Sequence, residues 1–217
     1  MSARRWDNVI FDLDGTLVDS LPGIEASARH AVGKCLPGIS LPQIRELTGP
    51  PIRTIFSRLW PERDGGEIDA IVAAFRQHYD SEGCLLSRLY PGVPETLRGL
   101  RDAGMTMFVL TNKLSLSAGI ILENAGIRPF FLEVMSPDSA EPPYRAKSEG
   151  AALLQTRHHL LPERTILMGD GMDDMEAAAA CGFVFLAAVY GYGSANRGRV
   201  PEILFAQTFS EIARLML

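Results

Sequence analysis

NVIFDLDGTLVDS, Asn8 to Ser20, begins as a buried strand and ends with charges that a core does not hold unaided. Val9, Ile10 and Phe11 are apolar and β-prone, but Asp12 and Asp14 follow at once with Gly15 behind them. Carboxylates are costly to bury unless a cation or hydrogen bonds compensate, so this strand end is expected to meet something positive.

The same phrase structure recurs downstream. In LRDAGMTMFVL, LENAGIRPFF and AAACGFVFLA a helix-like segment ends in a small residue plus glycine and opens into an apolar run. Gly104, Gly126 and Gly182 suit the left-handed position after a helix, and the runs suit strands buried on both faces. Strands are expected at Asn8 to Phe11, Thr106 to Leu110, Phe131 to Met135, Thr165 to Met168 and Phe183 to Ala187. Helices are expected at about Pro94 to Ala103, Ser115 to Ala125, Lys147 to His159 and Asp174 to Cys181. This is the α/β pattern, a Rossmann-like and mostly parallel sheet joined by right-handed crossovers.

Ser20 to Arg88 breaks the rhythm. IEASARHAVGKCL, PIRTIFSRLW and EIDAIVAAFRQHY are amphipathic at helical spacing, and Pro91-Gly92 marks the return to the sheet. The expected organisation is an α/β core formed by residues 1–19 and 89–217, with an inserted α-helical domain at 20–88. Phe56, Trp60 and Phe75 read as the core of that insertion.

Composition narrows the function classes. The 217 residues are 47% hydrophobic, enough for a substantial core, and 21 basic against 26 acidic residues give a net charge of -5. With no long basic run, neither nucleic acid nor an anionic membrane is expected as partner. Cys35, Cys84 and Cys181 lie far apart without a CxxC spacing and read as reduced thiols. The apolar run before Asp12 is too short for a signal peptide, and the longest apolar stretch, Phe183 to Tyr190, is too short for a membrane helix. A cytoplasmic location is expected.

In open parallel sheets ligands bind beyond the carboxyl ends of the strands. Three expected strands end there in polar clusters: Asp12-Leu13-Asp14-Gly15-Thr16, Thr111-Asn112-Lys113, and Gly169-Asp170-Gly171-Met172-Asp173-Asp174. Brought together, Asp12, Asp14 and Asp170 supply hard oxygen ligands for Mg²⁺, and Thr111 and Asn112 supply neutral donors for phosphate oxygens. A lysine would add a compact positive charge. His158-His159 carries no metal-ligand spacing and reads as a solvated helix end.

DLDGTLVDS, TNK, a later lysine and GDGMDD resemble the four ordered motifs of the haloacid dehalogenase superfamily. With a helical insertion after the first motif, the chain looks like the phosphoglycolate-phosphatase-like branch with a C1-type helical cap. The resemblance implies a Mg²⁺-dependent phosphatase acting on a small phosphorylated metabolite through an aspartyl-phosphate. Asp12 would be the nucleophile and a metal ligand. Asp14 would be the general acid/base, with its main-chain carbonyl facing the metal. Thr111 and Asn112 would bind the phosphoryl group, Asp170 would hold Mg²⁺ directly, and Asp174 would act through metal-bound water. The Lys-Pro pair of the third motif is absent, and the chain reads EPPYRAKSEGAALL there. Of three lysines, Lys34 lies in the insertion, Lys147 opens the expected helix after the third strand and is the first choice, and Lys113 is the second. Asp173 is assigned to capping the helix amino terminus. Arg45 and Arg53, flanking a Gly-Pro-Pro turn, are candidates for a second anionic group on the substrate, beside the plainer reading as surface arginines. The alternatives are a phosphomutase using the same nucleophile and, outside enzymes, a phospho-accepting receiver or a silent binding protein.

Overall fold

A computed structural model describes residues 5–42, 51–193 and 204–216. The chain divides into two compact units, residues 1–19 with 88–217, and residues 20–87.

The first unit is built on a six-stranded sheet in which every paired neighbour runs parallel. β1 (Asn8–Phe11), β4 (Thr106–Leu110), β5 (Glu133–Met135), β6 (Thr165–Gly169), β7 (Val184–Ala188) and β8 (Leu204–Ala206) follow the spatial order β5-β4-β1-β6-β7-β8. Val9, Ile10 and Phe11 have no solvent exposure, as expected of a central strand covered on both faces. On one face Ile10, Phe108, Leu167 and Phe185 pack with Ala151 and Leu154 of α6 (Lys147–His158) and with Ala177 and Ala178 of α7 (Met172–Cys181). Phe11 meets Phe131 and Phe209 at ring-centroid distances of 6.2 and 5.7 Å. Gly104, Gly126 and Gly182 take left-handed backbone after helices, where a Cβ would be strained.

β1 sits between β4 and β6, so the chain builds outward on one side of β1 and later returns on the other. That reversal is the topological switch point where a crevice opens beyond the strand ends. The register pairs Phe11 with Val109 and with Met168, which brings the segments after β1, β4 and β6 side by side.

Several elements differ from expectation. The sheet has a sixth strand, β8, whose three residues are too few to announce a period. Val18–Asp19 (β2) pairs antiparallel with Arg88–Leu89 (β3), so the chain leaves and re-enters this unit side by side. α4 (Val93–Asp102) and α5 (Ser115–Asn124) lie near their expected positions, and a short carboxy-terminal helix, α8 (Glu211–Met216), was not signalled. His158 is not a solvated helix end. Its Nε2 lies 2.6 Å from Glu133 Oε2, and its ring lies 4.8 Å from that of Phe108.

The second unit is helical: α1 (Leu21–Cys35), α2 (Ile52–Leu59) and α3 (Gly65–Ser81). Phe56, Trp60, Phe75 and Tyr79 form a run of ring contacts, with 5.4 to 6.1 Å between neighbouring centroids. Asp64 caps α3 reciprocally with Glu67. Ser27 Oγ lies 2.9 Å from His78 Nδ1, and a Cβ on Gly83 would come within 2.1 Å of that oxygen, so the glycine permits the close approach.

Candidate active site

Asp12 follows β1 directly, its N–H donating to Met168 O at 2.8 Å as a last rung beside β6. Lys147, the first residue of α6, extends Nζ to 2.5 Å from Asp12 Oδ1 and 2.6 Å from Asp174 Oδ1, with Asp173 Oδ2 at 3.8 Å. Side-chain exposure is 3% for Lys147, 7% for Asp12 and 1% for Asp174, so this is a buried charge cluster. The second lysine has a different partner, with Lys113 Nζ 3.2 Å from Asp14 Oδ2. Asp14 Oδ1 is buried and finds no hydrogen-bond partner among the described residues.

The segment after β4 is held from behind. Tyr144 is buried, and its hydroxyl donates to the Thr111 carbonyl at 2.7 Å. Thr111 Oγ1 accepts the Lys113 N–H at 3.1 Å. Asn112 Nδ2 donates to Asp173 Oδ2 at 2.6 Å. The helix-capping assignment of Asp173 is therefore corrected: Asp174 Oδ2 accepts the Gly171 N–H at 2.9 Å, while Asp173 reaches across to Asn112. Asp170 Oδ2 accepts from the backbone N–H groups of Tyr192 and Gly193 at 2.9 and 2.7 Å. Neither the Tyr144 contact nor the amides at 192 and 193 was anticipated. A tyrosine amid the polar EPPYRAK stretch and the Tyr-Gly-Tyr-Gly run after β7 were the available signals.

Asp12, Asp170 and Asp174 each offer an oxygen, and these atoms lie within 4.8 Å of one another. Burial holds Asp12 well above the usual carboxylate range despite the pull of Lys147, and Asp174 and Asp14 push the same way. Burial and the charge of Asp12 push Asp170 up to about 7, and burial pushes Asp174 up to about 6 against Lys147. Burial works against the Lys147 ammonium, but Asp12 and Asp174 hold its pKa well above the ordinary value. Once ionised, the three buried carboxylates outnumber the single ammonium beside Asp12 and Asp174, and an all-oxygen donor set fits a hard divalent cation. Glycine makes room for the cluster. A Cβ on Gly15, whose φ is +82°, would lie 2.1 Å from Asp170 Oδ2, and one on Gly169 would lie 2.0 Å from Asp174 Cγ. The residues present thus fit such a cation.

Of the two arginines singled out in the helical insertion, Arg45 lies outside the described residues. Arg53 is exposed and pairs with Asp69 at 2.8 Å. Among the described residues no helix is long and apolar enough to cross a membrane, and Cys35, Cys84 and Cys181 are free thiols.

Residues 9–188 match the family of haloacid dehalogenase-like hydrolases. The phosphoglycolate phosphatase of Vibrio vulnificus strain YJ016 is 32% identical over 202 residues, covering 88% of this chain and 87% of that protein. The tyrosine-protein kinase PtkA of Mycobacterium tuberculosis strain H37Rv is 33% identical over 191 residues, covering 87% of this chain and 64% of that longer protein. A haloacid dehalogenase-like family hydrolase from Streptococcus pneumoniae superposes with a TM-score of 0.84 at 25% identity, covering 97% of this chain and 99% of its own. With the match running from β1 into β7 and so through all three polar strand ends, the chain is an enzyme of the haloacid dehalogenase-like hydrolase family.

Proposed function

We propose that this enzyme is a Mg²⁺-dependent phosphatase that hydrolyses a small phosphomonoester through an aspartyl-phosphate on Asp12, with residues 20–87 serving as a helical cap. The observation that carries the reading is the buried Asp12–Lys147 pair at the end of the central strand, with Asp14 two residues on and Asp170 and Asp174 beside it.

The first step forms a bond from an Asp12 carboxylate oxygen to phosphorus and breaks the bond from phosphorus to the substrate's ester oxygen. Asp14 delivers a proton to the departing oxygen and then takes one from the water that attacks the aspartyl-phosphate. That second attack breaks the bond from phosphorus to Asp12 and releases inorganic phosphate. Lys113 holds Asp14 Oδ2, so the proton travels on Oδ1, the oxygen without a partner among the described residues. Lys147 pulls the buried Asp12 toward its ionised form against the effect of burial and offers its charge to the phosphoryl oxygens, while Thr111 and Asn112 supply neutral donors to them. Asp12, Asp170, Asp174 and the Asp14 carbonyl would hold Mg²⁺, with Asp174 acting through a bound water. When bound, the ion neutralises phosphoryl charge.

The Vibrio vulnificus relative's name puts phosphoglycolate first among candidate substrates, ahead of sugar phosphates and nucleotide monophosphates. Arg53, and Arg45 in the same insertion, are the candidates for a second anionic group on the leaving alcohol. Free thiols and a negative net charge support a cytoplasmic location and a small metabolite, rather than nucleic acid or membrane, as partner.

Phosphate release is to be measured across these esters with Mg²⁺, with Asp12→Asn in parallel. The expected outcome is release by the wild type and a loss of roughly 10⁴-fold or more in the variant. Isomerised sugar phosphate without free phosphate would replace the reading with a phosphomutase, and undiminished release by Asp12→Asn would remove the covalent intermediate.

A further inference from the structure

The Tyr190-Gly191-Tyr192-Gly193 run follows β7 and has no place in the chemistry derived above. β7 ends at Ala188, and the chain turns back through a hydrogen bond from the Gly191 N–H to the Ala188 carbonyl at 3.2 Å. It then lies against two separate parts of the active site. The N–H groups of Tyr192 and Gly193 both donate to Asp170 Oδ2. The Tyr190 hydroxyl donates to the Thr16 carbonyl at 2.7 Å, in the turn that carries Asp12 and Asp14. The Tyr190 ring is set edge-on against Tyr90, with centroids 4.8 Å apart.

The glycines explain how the approach is possible. Neither Gly191 nor Gly193 has positive φ, so neither is required by its backbone conformation. What each would suffer from a side chain is a collision. A Cβ on Gly191 would lie 2.3 Å from the Gly15 carbonyl oxygen and 2.5 Å from Asp170 Oδ2, and one on Gly193 would lie 2.3 Å from the Asp170 carbonyl oxygen. In this run the glycines let backbone touch the acid, and Tyr190 anchors the backbone through its hydroxyl and ring.

We propose that residues 190–193 form a positioning strap that commits Asp170 Oδ2 to the protein backbone, so that Asp170 presents Oδ1 alone to the cation. Tyr190 is a positioning residue that keeps the strap and the Gly15–Thr16 turn in register. The inference rests on the reading of Asp170 as a metal ligand. A carboxylate free to rotate would exchange its two oxygens and lose orientation, and outer-shell hydrogen bonds prevent this around metal ligands generally.

The test is direct binding of Mn²⁺, as a spectroscopic probe, to the purified full chain in the absence of substrate, with thermal melting of each protein as a fold control. Asp170→Asn, Gly191→Ala and Tyr190→Phe are compared with wild type. Gly191→Ala is expected to weaken Mn²⁺ binding by about 10- to 100-fold. Tyr190→Phe is expected to weaken it severalfold while melting close to wild type. If Gly191→Ala does not fold, Tyr190→Phe decides. Wild-type affinity in the folded strap variants, with binding lost in Asp170→Asn, would overturn the strap and leave the metal reading standing. Failure of the wild type to bind Mn²⁺, or full binding by Asp170→Asn, would bring down both.

Discussion

In the helical unit the Arg53–Asp69 pair lies in solvent, its side chains 55% and 62% exposed, and Arg63–Glu67 is a helix-spaced pair near the surface. In the α/β unit the Lys147 ammonium and the Asp12 and Asp174 carboxylates pair with no more than 7% exposure. The distances are similar, 2.8 Å for the first pair and 2.5 to 2.6 Å for the buried contacts, so distance does not separate the two regions. Water does. An exposed pair gains little over its hydrated partners, whereas buried ions lose hydration that mutual attraction only partly restores. A surplus of buried charge is therefore a poor way to stabilise a fold and a good way to hold a cation and a phosphoryl group.

The sharpest way to break this comparison is to remove one cation from each region. Lys147→Met leaves Asp12 and Asp174 buried without their ammonium, and at pH 8 without added metal it is expected to cost about 3 kcal/mol. For a chain of this size that is a fall of about 10 °C in Tm. Arg53→Ala is expected to leave Tm unchanged within error. Differential scanning calorimetry of both variants decides, and equal shifts would erase the distinction between the regions.

The second expected effect concerns pH. Folded Asp170 holds its proton up to about pH 7 and Asp174 up to about pH 6, against an ordinary value of 3.8 for each. Between these limits the folded state binds more protons than the unfolded state, so their contribution to stability is complete below about pH 4 and lost as pH rises through 6 and 7. Metal-free protein is expected to lose on the order of 5 °C in Tm between pH 5 and pH 7.5. Mg²⁺ requires the ionised carboxylates, so its stabilising effect is expected to grow over the same interval. Melting curves with EDTA and with Mg²⁺ across that range test the sign. The exposed Asp69 carboxylate, held low by its hydrogen bond to Arg53, titrates below the window.

The contrast between regions also explains what could be read in the sequence. An apolar run followed by acids announces itself locally, so Asp12, Thr111 and Asp170 were legible as strand-end residues, and parallel pairing of β1 with β4 and β6 brought them together. Partners across long separations were not legible from periodicity: Lys147, which meets Asp12 from 135 residues away, was placed at the site by the family resemblance, and the Asn112–Asp173 contact across 61 residues was not anticipated. His158 looked solvated because its partner Glu133 belongs to an edge strand whose placement depends on the whole sheet. β8 is too short to show alternation, and the strap's glycines are explained by contacts with Asp170 and Gly15 that exist only once the sheet has formed.

Asp173 lies between the two regimes, with a side chain 43% exposed yet in contact with the buried cluster, and it gives the smallest predicted effect. Its Oδ2 orients the Asn112 amide at 2.6 Å and adds negative charge 3.8 Å from the Lys147 ammonium. The two contributions oppose each other in binding an anionic phosphoryl group, since the hydrogen bond fixes a donor while the charge repels the ligand. Asp173→Asn keeps an acceptor for Asn112 and removes the charge, so KM for a phosphomonoester is expected to fall about twofold to threefold with kcat little changed. The gain should shrink as salt rises, because the site is partly open to screening. Asp173→Ala removes both contributions and is expected to raise KM, because an Asn112 amide no longer held in one orientation costs more to order against substrate. Steady-state kinetics of the two variants at low and high ionic strength separate the contributions. An unchanged KM in Asp173→Asn with a rise in Asp173→Ala would mean that Asp173 acts through geometry alone, and its half-exposed charge would then belong with the exposed pairs of the helical unit.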